Sequence, residues 1–139
     1  MLVVKINLYR EIEHKADLCY EIYAENTEEL LKDVVDILLK NSEANNIDNA
    51  LLNCLENFTK KCYNILSEKL TDNFSDAVFD AVNDIISLID RGFYPFKIER
   101  LCIYFCKINI NLRIKALTYH RFVVEKKDAK IYARMVFDI

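Results

Sequence analysis

The sequence predicts an α+β domain, a two-layer sandwich in which a mostly antiparallel sheet of five to six strands packs against two long helices. Two features of the sequence support this prediction. Apolar residues recur at helical spacing in two long segments, and elsewhere they alternate with polar residues as in half-buried strands. The chain has 139 residues, which is a common domain length, so we expect residues 1–139 to form a single domain.

The N-terminal part of the chain is predicted to form two strands and then a helix. Alternation predicts a first strand near residues 2–8 and a second near 16–24, with Asp17 on the more polar face of the second. Asn26 or Thr27 is a suitable N-cap for the helix that follows. The polar stretch that comes next predicts a loop over 41–50. The stretch 51–70 is ambiguous: Leu51, Leu52 and Leu55 fit a short helix, and 60–70 could form a strand.

The C-terminal part is predicted to contain the second long helix and the remaining strands. Asp72 or Asn73 caps this helix, and Gly92 lies just past its end, where a left-handed C-cap is favoured. Strands rich in aromatic and β-branched residues are then expected near 97–109, 112–120, 121–126 and 130–138. In the last strand Asp138 lies on the more polar face, as Asp17 does in the second strand, and this shared parity permits a common site.

Composition and charge exclude several functional classes. The net charge is −3, with 22 acidic and 19 basic residues mixed along the chain, so a large basic face for nucleic acid is not expected. A role near nucleic acid would pass through a protein partner or a local site. The single glycine excludes a phosphate-binding P-loop and a dinucleotide fingerprint. The sequence has no apolar run of membrane-spanning length and no signal-peptide pattern, so we expect a cytoplasmic protein without membrane contact.

The five cysteines are odd in number and include no CxxC pair. We therefore expect free, buried thiols in a reducing cytosol rather than a disulfide framework. Cys102 and Cys106 are four residues apart, a spacing that suits zinc ligands on a helix. The surrounding residues predict a strand, so zinc is not expected there.

The chain ends on Asp138 and Ile139, which offer a side-chain carboxylate and a main-chain carboxylate close together. Far upstream, Asp17 adds a third carboxylate, three residues after His14. If folding joins these segments, the result is an oxygen-rich site for a hard cation such as calcium. The alternative is a solvated strand end without a ligand.

Three segments resemble the archease family. IKALTYHRFVVEKKDAKIYARMVFDI, from Ile114 to Ile139, is similar to the family's C-terminal signature of a KA-x-TYH strand, a hairpin and a terminal VxFDI. EHKADLCYEIYAENTEELL resembles its HTAD segment, strand and first helix, and DAVFDAVNDIISLIDRGFYPFKIE its second helix and following strand. Between 41 and 72 the resemblance is only topological. Lys15 and Cys19 depart from the threonine and glycine that the family favours at these positions, which leaves open the local geometry around Asp17.

The resemblance implies a non-catalytic accessory protein. Archeases activate the RtcB-type RNA ligase of tRNA splicing, promoting its guanylylation and multiple turnover, and tRNA is reached indirectly through the ligase. The resemblance also implies a divalent-cation site, calcium in known members, which carries over to Asp17, Asp138 and Ile139. Lys115 matches the lysine of the KA-x-TYH strand, where it would contact the partner or a phosphate, the alternative being a plain surface lysine. His14 and His120 would orient the carboxylates, or alternatively pack and cap strand ends.

Two other classes of function stay open on the residues alone. A small metal-dependent hydrolase would use Asp17 and Asp138 with a histidine as base. A chaperone-like protein-binding module would need no metal chemistry.

Overall fold

The computed structural model describes residues 8–12, 17–44, 47–65 and 72–139. The predicted first strand near 2–8 lies outside these ranges, apart from Leu8. Three helices occur in the described chain: α1 (Thr27–Lys40), α2 (Ile47–Cys54) and α3 (Asp72–Asp90). Its strands are β1 (Tyr9–Ile12), β2 (Asp17–Ala24), β3 (Ser42–Glu43), β4 (Thr59–Cys62), β5 (Phe93–Glu99), β6 (Cys102–Lys107), β7 (Asn111–Leu112), β8 (Ala116–Lys127) and β9 (Lys130–Asp138). None of these helices is both long and apolar enough to cross a membrane.

The strands form antiparallel sheets, which confirms the predicted α+β class. The main sheet has the order β1-β2-β9-β8, a second pairs β3 with β7, and a third has the order β4-β6-β5. The prediction of a single sheet of five to six strands is therefore wrong, since the described strands divide into sheets of four, two and three strands. The chain is irregular on both sides of the two-residue β7, at 108–110 and 113–115, so β6 and β8 belong to different sheets.

Both ends of α1 and the C-terminal end of α3 follow the predicted local signals, whereas Asp72 and Asn73, the predicted caps of α3, lie within that helix. The Asn26 side chain accepts a hydrogen bond from the Glu29 N–H at 2.9 Å and so caps α1. Lys40, in the last turn, complements the helix dipole. Past α3, Gly92 has φ +95°, the left-handed conformation predicted for that position.

The segment between these helices differs from the prediction. The expected loop over 41–50 contains β3 and the first half of α2, which begins at Ile47. Asp48 lies in the first turn of α2, where an acidic side chain is favoured by the helix dipole. In the ambiguous stretch 51–70, the helix considered near Leu51–Leu55 is the second half of α2, which ends at Cys54, and the strand considered at 60–70 overlaps β4 at 60–62.

One apolar core joins the main sheet to α1 and α3. Side chains that are at most 1% exposed include Tyr20, Ile22, Val34, Leu38, Val82, Ile85, Met135 and Phe137. Alternate residues of β2 and β9 point into this core, which fixes the register of both strands because a one-residue slip would turn the apolar side chains outward.

The prediction of free thiols is wrong for four of the five cysteines. Cys54 is bonded to Cys106 and Cys62 to Cys102, while Cys19 is free and buried. The bonds span 52 and 40 residues, so they depend on strand register that local sequence patterns do not specify. Cys102 lies directly opposite Cys62 in the β4–β6 register. Because Cys102 and Cys106 are both in disulfides, neither is available as a thiolate ligand for zinc.

Candidate functional site

The ends of β2 and β9 bring together the two aspartates that the sequence singled out. Asp17 is the first residue of β2 and Asp138 the last of β9, and the antiparallel register places them directly opposite each other. Opposed residues in such a pair have Cβ atoms roughly 4.5–5.5 Å apart and project to the same side of the sheet. Asp17 and Asp138 therefore lie not only on the same face of the sheet, as predicted, but also at the same end of their strands.

The neighbouring strand brings Lys115 to the same end of the sheet. Ala116, the first residue of β8, pairs with Asp138. The Lys115 N–H donates a hydrogen bond to the Asp138 main-chain oxygen at 2.8 Å. Lys115 itself is exposed, whereas Ile139 is partly buried and packs against the core. Both interactions hold the main chain around Asp138 in place.

The oxygen atoms at this end of the sheet suit a hard cation. Asp138 is exposed and Asp17 is partly buried, so both residues are within reach of solvent. Carboxylate and main-chain oxygens are the ligands that calcium prefers.

The described side chains supply only part of a complete ligand set. No group of three or more His, Cys, Asp or Glu side chains within the described ranges has the arrangement of a metal site. A third ligand would have to come from the main chain of Ile139 or from outside those ranges. His14 and Lys15 lie outside them.

His120 occupies an irregular part of β8. The pairing of β8 with β9 shifts between Thr118 and Val123, and Arg121 in this interval has φ +58°. His120 is exposed and lies four residues further along β8 than Ala116, the residue that pairs with Asp138.

A buried charge network that the sequence analysis missed lies on the same face of β2. Glu21, 6% exposed, accepts hydrogen bonds from Arg10 Nη2 at 2.9 Å and from the Tyr23 hydroxyl at 3.2 Å, with Arg134 at 3.6 Å. Burial opposes ionisation of Glu21, but these hydrogen bonds and the two guanidinium charges outweigh it, and the pKa of this carboxyl lies below its usual value. Arg10 and Arg134 lie opposite Glu21 on the two neighbouring strands. Because the network depends on this pairing of distant segments, local sequence patterns do not predict it.

Cys19, a departure from the favoured glycine, lies between Asp17 and Glu21 on this face. It is 5% exposed and pairs with Val136 of β9. Burial raises the pKa of the Cys19 thiol, against the opposing effect of Arg134. The face of β2 that was predicted to be the more polar one is therefore largely buried at Cys19 and Glu21, next to Asp17.

Comparisons with known proteins identify the family of this chain. A sequence model described as the Archease protein family matches residues 9–139. "Protein archease" of Thermotoga maritima is 35% identical over 135 residues, which cover 93% of this chain and 98% of that protein. A crystal structure described as an archease, possible chaperone, from Thermotoga maritima is 31% identical, with a TM-score of 0.64 over 94% of this chain and 96% of that one. The chain belongs to the archease family.

Proposed function

We propose that this chain is a non-catalytic activator of an RtcB-type RNA ligase in tRNA splicing, promoting guanylylation of the ligase and its multiple turnover. The observation that carries the proposal is the direct opposition of Asp17 and Asp138 at the ends of β2 and β9. Family membership supports it further, because these aspartates match the residues that the archease resemblance assigns to a cation site.

The proposed cation ligands are Asp17, Asp138 and a main-chain oxygen of Ile139. Two carboxylates and a main-chain oxygen fit calcium in donor type. A divalent cation would supply positive charge that offsets the charge of a phosphate in the ligase active site. The chain's own residues hold the carboxylates in register, and the packed Ile139 side chain fixes the last peptide.

Lys115 is proposed as the contact to the partner or to a phosphate. Its exposure leaves the ammonium group accessible, and its N–H binds the main chain of Asp138. The cation ligands and this lysine would then face the ligase from one end of the sheet. His14 and His120 stay candidates for orienting the carboxylates.

The experiment is a guanylylation assay with the ligase from the same source and GTP. Asp17→Ala and Asp138→Ala are compared with the wild type and with Glu125→Gln, a matched control on the exposed part of β8. Loss of partners that merely support a metal ligand already weakens metal affinity or activity about 10- to 100-fold, so each aspartate variant should lose at least tenfold of the stimulation. Undiminished stimulation by both variants would refute the cation-site proposal.

A chaperone-like role is the second candidate, and one observation favours it. Leu52 and Leu55, in α2 and the turn after it, are 72% and 75% exposed, which is unusual for leucines so close together. The test is aggregation of an unfolded client protein with wild type and with Leu52→Ser/Leu55→Ser. The chaperone-like role would be favoured over ligase activation if the wild type suppresses aggregation of the client but does not stimulate the ligase, and if the double variant no longer suppresses aggregation.

A further inference from the structure

The sheet β4-β6-β5 carries a small surface of aromatic rings and lysines, here called the aromatic–lysine face: Phe58, Lys60, Phe96, Lys97 and Tyr104. Ile103 and Phe105 of β6 are buried in the core, so Tyr104 between them points to the opposite side of the sheet. Phe58 and Phe96 contact Tyr104, with ring centroids 5.3 and 6.3 Å away. Phe58 is 50% exposed, so one ring of this cluster is open to solvent.

Two ammonium groups lie over the same ring. Lys60 and Lys97 are the register partners of Tyr104 on the two neighbouring strands. Their Nζ atoms are 5.7 and 5.1 Å from the Tyr104 ring centroid. Cation–π attraction holds both lysines beside the aromatic surface, where they alternate with rings across the sheet.

The aromatic–lysine face has a small positive excess, although the chain as a whole carries −3. Lys60 and Lys97 lie opposite Tyr104 and Glu99 lies opposite Cys102, so strand alternation places these three charged residues on the face of Tyr104. Lys61 and Lys107 project to the other side, that of Ile103 and Phe105. Glu99 is paired with Lys97 at 3.2 Å, so the charged residues of the strands leave one net positive charge on this face for a phosphate group.

A cavity of about 470 Å³ adjoins the face, and Phe58 lines it. Asn53, Asn57 and the exposed Lys107 also line it. Amides offer both hydrogen-bond donors and acceptors, which are the groups that recognise the edge of a base. The volume falls within the range of ordinary small-molecule sites.

We propose that the aromatic–lysine face binds single-stranded RNA, with bases stacked on Phe58 and the neighbouring rings and phosphates held by Lys60 and Lys97. Alternating rings and cations on an open sheet are the chemistry of single-strand recognition, whereas a duplex hides its base faces. The assignment to RNA rather than DNA rests on the proposed function. The proposal that this face stacks the bases of a single strand does not depend on that function.

Both disulfides support this face. Cys102 and Cys106 flank Tyr104 on β6, and their bonds attach β4 and the end of α2 to that strand. The segment that supplies Phe58 and Lys60 lies between the attached cysteines, Cys54 and Cys62. The rings and ammonium groups are thus held in position before any ligand arrives, which lowers the entropy cost of binding.

The test is fluorescence anisotropy with a labelled 12-nucleotide uridine-rich RNA and the protein alone, without ligase. The single strand should bind more tightly than a 12-base-pair RNA duplex, and no less tightly than DNA of the same sequence. Phe58→Ala should weaken binding roughly 5- to 100-fold, the range for loss of one stacked base. Lys60→Gln should lower the salt dependence by about 0.7 in log–log slope, the value for one single-strand phosphate contact.

Lys126→Gln, at the exposed end of β8, is the matched control and should leave the affinity unchanged. Absence of binding, equal affinity for the duplex, or full affinity in both Phe58→Ala and Lys60→Gln overturns the proposal. Tighter binding of DNA overturns the assignment to RNA. If RNA does not bind but Phe58→Ala abolishes a complex with the ligase, the face is instead a protein contact. Guanylylation uses no RNA, so failure here is distinguishable from failure of the proposed function.

Discussion

Removing the disulfides is predicted to destabilise the fold by an amount set by the loops that they close. The perturbations are the paired variants Cys62→Ser/Cys102→Ser and Cys54→Ser/Cys106→Ser, the four-serine variant, and reduction of the wild type. A bond between distant residues restricts the unfolded chain, and the restriction increases with the logarithm of the loop length.

The two loops are nested, and this makes their effects smaller than additive. Taken alone, loops of 40 and 52 residues each correspond to about 4 kcal/mol in the chain-entropy relation. With the inner bond Cys62–Cys102 in place, the outer bond closes only about 12 further residues, those from 54 to 62 and from 102 to 106, which corresponds to about 3 kcal/mol. Loss of both bonds should therefore cost about 7 kcal/mol rather than about 8.

The assay is urea unfolding at pH 7, followed by far-UV circular dichroism with and without dithiothreitol. Loss of either bond from the wild type costs about 3 kcal/mol, so for a slope of about 1–3 kcal/mol/M it should lower the midpoint by about 1–3 M. The four-serine variant should unfold at the midpoint of the reduced wild type. Cys19→Ser is the control, because it removes the free thiol and should leave the reductant-dependent shift intact.

A wild-type midpoint that is the same with and without reductant would refute this reasoning. The thiol count is an independent check. Protein denatured without reductant should have one reactive thiol, that of Cys19, and a count of five would mean that neither bond forms.

Three further predictions concern the described site and fold. Asp138→Asn should abolish any rise in melting temperature caused by calcium, because one of the proposed carboxylate ligands is lost, and a full calcium response in the variant would contradict this. Glu21→Gln should cost roughly 1–3 kcal/mol at pH 7. Because folding lowers the pKa of Glu21, the contribution of its carboxylate is present above about pH 4 and is lost as pH falls through the folded value. The urea midpoints of variant and wild type should therefore approach each other as the pH is lowered, and a gap that stays constant would contradict this. Gly92→Ala should cost at least about 1–2 kcal/mol in urea unfolding, since φ is +95° and the added Cβ would lie 2.3 Å from Asn109 Oδ1, and an unchanged midpoint would argue against this turn.

The elements with strong local signals were predictable from the sequence. Asn26 and Gly92 mark the start of α1 and the end of α3 by chemistry that acts within a few residues, and the structure confirms both. Alternation likewise predicted β2 and β9 and placed Asp17 and Asp138 on one parity. The archease resemblance then joined these two segments in one site.

Features that depend on long-range register were not predictable from local patterns. The disulfides and the Glu21–Arg134 pair form only once β6 and β9 have taken their places beside β4 and β2. The division of the strands into three sheets depends on the irregular residues around β7, which resemble the strand segments beside them. Short elements such as α2 have too few residues for a decisive periodicity.

The most direct test of the proposed function is the number of RNA products formed per RtcB-type ligase molecule. With a limiting amount of ligase from the same source, GTP and a divalent cation, wild-type protein should convert a single round of joining into many rounds. The Asp17→Ala/Asp138→Ala protein should leave the ligase at about one round. Multiple rounds with the double variant, or a single round with the wild type, would contradict the proposal that the opposed aspartates of β2 and β9 serve ligase activation.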